Sequence, residues 1–137
     1  MDILNDGKSN LENWPGHITA VIIFAEDLDV TKHFYQVVFG LPIHYEDKDS
    51  AVFKFGEMLI NLLRITEANE LIEPAKIADR NAGSRQVFSL NVENVDAMCD
   101  ELRKRGVEIL NGPMDRPWGL RTASFINPAG CIWEISQ

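Results

Sequence analysis

The sequence predicts an α+β fold of two tandem βαβββ modules, forming a curved mixed sheet around a cleft with the helices outside. Three observations lead there. A β-branched apolar stretch, His17–Ala25, is followed by acidic capping residues and an apolar-periodic segment that stops at Gly40. The same order returns in Arg85–Val92, Asn94 and Gly106. After each stop come short apolar runs bounded by turn residues, the pattern of strands. Repetition of a whole unit is a stronger fold signal than any one segment, and neither unit alone can cover both faces of its own sheet.

Taken in chain order, residues 1–16 read as an N-terminal tail: polar, aperiodic and closed by Trp14-Pro15-Gly16. A single domain then spans 17–137. His17–Ala25 is the first strand, and Asp27 or Asp29 caps a helix through Thr31, Phe34, Tyr35 and Val38. Gly40 and Leu41-Pro42 end that helix. Ile43–Tyr45, Ser50–Phe55 and Met58–Ile65 follow as strands, closing a first module of about 17–66. Residues 67–83 form a connector. The second module, 84–137, opens with the strand Arg85–Val92 and a helix from Asn94 to Arg105. Val107–Leu110 is a short strand, Asn111–Gly119 a Pro/Gly-rich loop, and Leu120–Phe125 and Cys131–Ser136 the closing strands.

Composition narrows the function classes. Thirteen Lys and Arg stand against 21 Asp and Glu, a formal net charge of -8, so a phosphate backbone is repelled and nucleic acid is not an expected partner. The densest basic run, Arg103-Lys104-Arg105, ends a helix, where cations complement the terminal carbonyls. Cys99 and Cys131 have neither CxxC nor Cys/His spacing and are expected to be reduced thiols. The N-terminal residues lack the apolar run of a signal peptide, and no stretch approaches a membrane span, so a cytoplasmic location with no membrane partner is expected.

Three stretches carry a family resemblance: AEDLDVTKHFYQVVFGLPI from Ala25 to Ile43, NVENVDAMCDELRKRGVEI from Asn91 to Ile109, and PWGLRTASFINPAGCIWEI from Pro117 to Ile135. Paired helix passages, a Pro128-x-Gly130 turn and a Glu four residues after that Gly resemble the vicinal-oxygen-chelate superfamily of glyoxalase I, bleomycin resistance proteins and extradiol dioxygenases. The Trp-Gly-x-Arg segment is most similar to metal-free, bleomycin-resistance-like members. The resemblance implies a homodimer that completes its clefts between chains. It also implies metal ligands on particular strands. Seven residues before Asp27 stands Ala20; the fourth-strand position falls near Asn61; five residues before Val92 stands Val87; and only the last-strand position, Glu134, has a strong donor. No metal or other cofactor is therefore expected. The alternative is a divalent metal ion held by His17, Gln86 and Glu134, which a bulge or a one-residue register change would turn inward.

Side-chain alternation from these positions gives a cavity set of Ala20, Ile22, Phe24, Leu59, Asn61, Leu63, Val87, Ser89, Ile132 and Glu134, mostly hydrocarbon with one carboxylate. The expected ligand-binding residues are Phe24, Phe55, Asn61, Trp118, Arg121 and Glu134: aromatics to stack, an amide, a guanidinium and a carboxylate. These residues predict a small-molecule-binding protein that sequesters an amphipathic ligand. The alternative is a glyoxalase-like metal-dependent lyase or isomerase, and a third reading is metal-free acid–base chemistry. Glu134 is the expected catalytic residue if the protein is an enzyme.

Overall fold

The structure, a computed structural model, describes residues 13–137; residues 1–12, most of the expected tail, lie outside the described residues. The first module contains β1 (Ala20–Ala25), α1 (Leu28–Val38), β2 (Tyr45–Glu46), β3 (Ser50–Phe55) and β4 (Met58–Arg64). The helix α2 (Ile65–Ile72) begins the connector. The second module contains β5 (Val87–Asn91), α3 (Val95–Lys104), β6 (Asn111–Asp115), β7 (Arg121–Ile126) and β8 (Ile132–Ser136). The α+β class and the tandem βαβββ order are as the sequence predicts.

Both principal helices start where a side chain can satisfy an otherwise orphaned N–H. Val30 N donates to Asp27 Oδ1 at 3.1 Å, and Ala97 N donates to Asn94 Oδ1 at 3.0 Å. They stop before Gly40 and Gly106, whose φ angles of 65° and 84° are costly for any residue with a Cβ. Arg103 and Lys104 occupy the last turn of α3.

Several boundaries differ from the sequence reading: β2 covers Tyr45–Glu46 and not Ile43–Tyr45, β5 begins at Val87 and not Arg85, and Ile65 opens a helix instead of closing β4. β1 begins at Ala20, so His17 precedes the strand. β6 occupies Asn111–Asp115, inside the expected Pro/Gly-rich loop, while Val107–Leu110 is irregular. Pro113 is tolerated because β6 is the edge of its sheet, where a missing N–H breaks no ladder, and the pairing shifts register between Asn111 and Met114.

The strands form two four-stranded sheets of identical topology, β1-β4-β3-β2 and β5-β8-β7-β6. In each, the first and last strands of the module run parallel and the rest antiparallel. One face of each sheet carries the helices, and these two faces share one core. Ile23, Phe53, Ile60 and Leu62 from the first module join Val95, Phe125, Trp133 and Ile135 from the second. The Phe55 and Trp133 rings stack at 5.2 Å with an interplanar angle of 23°, so the sheets meet directly through these faces. Tyr35 on α1, fully buried, lies at the junction. Its hydroxyl accepts from Asn127 Nδ2 at 2.9 Å and Trp133 Nε1 at 3.3 Å, both from the second module. Desolvation pushes the phenol well above its ordinary pKa, which keeps it neutral. Cys99 and Cys131 are free thiols, as expected.

The junction yields a first prediction. Tyr35→Phe preserves the ring and leaves two buried donors without their acceptor, each costing about 1–3 kcal/mol. Urea unfolding should show a lower midpoint with an unchanged slope. An unchanged midpoint would mean that the hydroxyl does not tie the modules together.

Candidate functional site

Because the helix-bearing faces are spent on the core, the opposite faces of both sheets point away from it. Pairing fixes which residues those faces hold. Ile22 lies opposite Asn61, Ala20 opposite Leu59 and Phe24 opposite Leu63, while Val87 lies opposite Ile132 and Ser89 opposite Glu134. The alternation read from the sequence is thus the observed one on these strands. Ile22 is 41% exposed and Val87 53%, high values for apolar strand residues.

On the second sheet this face bears a hollow of about 440 Å³, lined by Val87, Leu110, Ile132, Asn111, Arg116, Thr122, Ser124 and Glu134. A volume of this order suits a small organic molecule. Ser89 Oγ donates to Glu134 Oε1 at 2.7 Å, which fixes the carboxylate from the neighbouring strand. Ser124, paired opposite Glu134 on β7, supplies a hydroxyl to the same hollow. Arg116 closes the hairpin between β6 and β7: its N–H donates to Leu120 O at 2.7 Å, and Gly119 N donates to Arg116 O at 3.0 Å. Its side chain is steered inward by Thr122 Oγ1, which accepts from Nε at 2.8 Å, and by Asn111 Oδ1, which accepts from a terminal nitrogen.

The structure separates the other expected site residues. Phe55 lies in the core against Trp133 and does not face either open surface, because it shares strand parity with Phe53. Arg121 points to the helix-bearing side, where Asp96 of α3 accepts from it at 2.7 and 2.8 Å and Asp115 at 3.0 Å. These bonds raise the guanidinium's pKa and hold the Asp96 carboxyl below its ordinary value. The guanidinium in the hollow is Arg116, which the sequence reading missed. Counting across the turn Pro117-Trp118-Gly119 places Arg116 opposite Leu120, and so on the Thr122 and Ser124 face. Trp118 is 67% exposed on that turn, with the Arg116 guanidinium 5.9 Å from its ring centre. Phe24 lines a separate hollow of about 410 Å³ beside the connector. Asn61 is on the open face of the first sheet, and its Oδ1 is buried without a hydrogen-bond partner among the described residues.

Within one chain the alternative metal set of His17, Gln86 and Glu134 does not converge. His17 is exposed ahead of β1, and Gln86 sits in the loop before β5 and lines the Phe24 hollow, away from the one that Glu134 lines. Among the described residues no three His, Cys, Asp or Glu side chains converge. Among the residues lining the Glu134 hollow in the single chain there is one carboxylate and no imidazole or thiolate, and the Arg116 guanidinium there opposes a second cation.

A larger groove of about 710 Å³ lies on the helix side, between the end of α1 and α3. There Arg105 is tied to Val38 O at 2.6 Å and to Glu101 at 3.1 Å, so its polar groups already satisfy one another.

With the geometry described, comparison with known proteins places the chain. The family model for the Glyoxalase/Bleomycin resistance protein/Dioxygenase superfamily matches residues 14–135, and the chain belongs to that superfamily. The uncharacterized protein YraH of Bacillus subtilis (strain 168) is 34% identical over 117 residues, covering 82% of this chain and 91% of that protein. Among solved structures, a glyoxalase/bleomycin resistance protein/dioxygenase from Nocardioides is similar with a TM-score of 0.82 at 22% identity, covering 96% of this chain and 89% of that one. A lactoylglutathione lyase from Agrobacterium tumefaciens is similar with a TM-score of 0.67 at 23% identity, covering 90% and 94%. At such identities the structural likenesses establish the fold alone. No helix among the described residues is long and apolar enough to cross a membrane.

Asn61 gives a second prediction. A buried amide oxygen without a donor costs about 1–3 kcal/mol. Asn61→Leu, which removes that group at similar volume, should raise the unfolding free energy by about 1 kcal/mol in urea titrations of dilute protein. A loss of stability would show that the oxygen already has a partner.

Proposed function

We propose that the protein is a small-molecule-binding member of its superfamily, holding an amphipathic ligand without a resident metal in the hollow of the second sheet. The observation that carries this reading is a carboxylate, Glu134, oriented by Ser89 within a wall of Val87, Leu110 and Ile132. Hydrocarbon there takes the apolar body of a ligand, and Glu134 meets a cationic or hydrogen-bond-donating group. Trp118, exposed at the rim, offers a face on which a flat group can stack.

The site works in a homodimer. Both open faces carry exposed apolar side chains, Ile22 on the first and Val87 on the second, which favours covering them. Pairing the first sheet of one chain with the second sheet of its partner lays Phe24 and Asn61 over the Glu134 hollow and offers the Asn61 oxygen a donor. Light scattering should give twice the 15.5 kDa chain mass. Ile22→Asp, a change on an exposed site of the single chain, should halve the measured mass while the far-UV spectrum stays the same. A variant that remains dimeric would contradict this pairing.

Binding itself is tested with a small aromatic amine such as naphthylmethylamine. Its addition should raise the melting temperature in proportion to the logarithm of its concentration. Glu134→Gln should weaken binding about tenfold or more, the worth of one hydrogen bond to a charged group. Titration with nickel, manganese or zinc should release no heat. Stoichiometric metal binding that is lost in His17→Ala would contradict the proposal.

A further inference from the structure

The electrostatics of the hollow define its ligand more narrowly, on the reading that the hollow is a binding site. Arg64, Arg103, Arg105 and Arg121 each lie within 4.0 Å of a carboxylate, whereas among the described residues Arg116 and Glu134 take part in no such pair. They line the same hollow yet do not neutralise each other. Arg116 is held by two neutral acceptors, Thr122 Oγ1 and Asn111 Oδ1. Such bonds fix the direction of the guanidinium and leave its charge uncompensated, with donors remaining for a second partner. Glu134 is held likewise: Ser89 occupies Oε1, and Oε2 makes no hydrogen bond among the described residues.

We propose that the hollow recognises a bipolar molecule, with an anionic group, a carboxylate or similar oxyanion, against Arg116 and a protonated amine against Glu134. The apolar segment between the two ends crosses Val87 and Ile132. The charge of the chain favours this class. At a net charge of -8 a purely anionic ligand is repelled on approach, while a molecule neutral overall is not. A guanidinium fork aimed from a fixed side chain also matches a planar carboxylate in two parallel hydrogen bonds, a geometry that an ammonium cannot reproduce. Arg116 is thereby a specificity-determining residue, selecting among the amphipathic amines that Glu134 alone would accept.

Calorimetric titration separates the two ends of the ligand. The probes are γ-aminobutyrate, δ-aminovalerate and ε-aminocaproate, each compared with the alkylamine and the alkanoate of equal chain length. At the best-fitting length the amino acid should bind about tenfold tighter than the amine. Arg116→Gln should erase that advantage, so that the amino acid binds no tighter than the amine of equal length, and Arg116→Lys should restore part of it. If the amines bind in a Glu134-dependent way and no added carboxylate improves them, the bipolar proposal is overturned and the binding reading stands. If neither amines nor amino acids bind and the aromatic amine also fails, both are overturned.

Discussion

The contact between the two helix-bearing sheet faces organises this molecule. Each module has one sheet face covered by its helix, and a lone module would leave the rim of that interface wet. The aromatic rings of Tyr35, Phe39, Phe55 and Trp133, with centroids 4.9–6.3 Å apart, close it instead. The Tyr35 hydroxyl supplies the polar registration: it accepts two N–H donors from the other module, one from Asn127. Asn127 in turn accepts from Cys131 N at 2.9 Å, which holds the turn leading into β8. A buried network of this kind is stabilising only when every member is satisfied, so it admits one relative placement of the modules. The consequence is geometric. With both helix-bearing faces turned inward, both strand faces that carry Asn61 and Glu134 must turn outward.

That arrangement explains why the hollow is polar in the way it is. A face that the single chain leaves outside its core tolerates a carboxylate, a guanidinium and hydroxyls that a closed core would not. The carboxylate and the guanidinium are nonetheless ordered, because Glu134 is held by Ser89 and Arg116 by Thr122 and Asn111. The contrast with Arg121 is instructive. One residue away from the Thr122 face, Arg121 emerges on the opposite side of the sheet and is consumed by Asp96 and Asp115. Two cations five residues apart therefore have different settings: Arg121 braces α3 against the β6–β7 hairpin, and Arg116 forms no ion pair among the described residues.

Much of the fold was legible because its signals are local. Asp27 and Asn94 as caps, Gly40 and Gly106 as stops, and the period-two alternation of β1, β4, β5 and β8 can each be read without the partner strand. Glu134 was legible for the same reason, as its face follows from Trp133 and Ile135 beside it. β6 was not. Gly112-Pro113 reads as a loop unless the strand is known to be an edge, and edge status is a tertiary fact. Arg116 was lost with it, since its face depends on the register of that hairpin. Phe55 was misplaced through its turn-adjacent position, although its alternation with Phe53 pointed to the core. The division of the strands into two sheets facing away from each other depends on long-range packing around Tyr35, which no local pattern encodes.

The central claim is that ligand binding occurs on the open face of the second sheet, at Glu134, and not in the larger groove between α1 and α3. Methyl-labelled NMR during titration with the aromatic amine tests it most directly, because each surface has its own reporters. The account predicts shifts in Val87, Leu110 and Ile132, with Leu90, Met98 and Leu102 unmoved. Shifts confined to Leu90, Met98 and Leu102 would contradict it and move the binding site to the helix side.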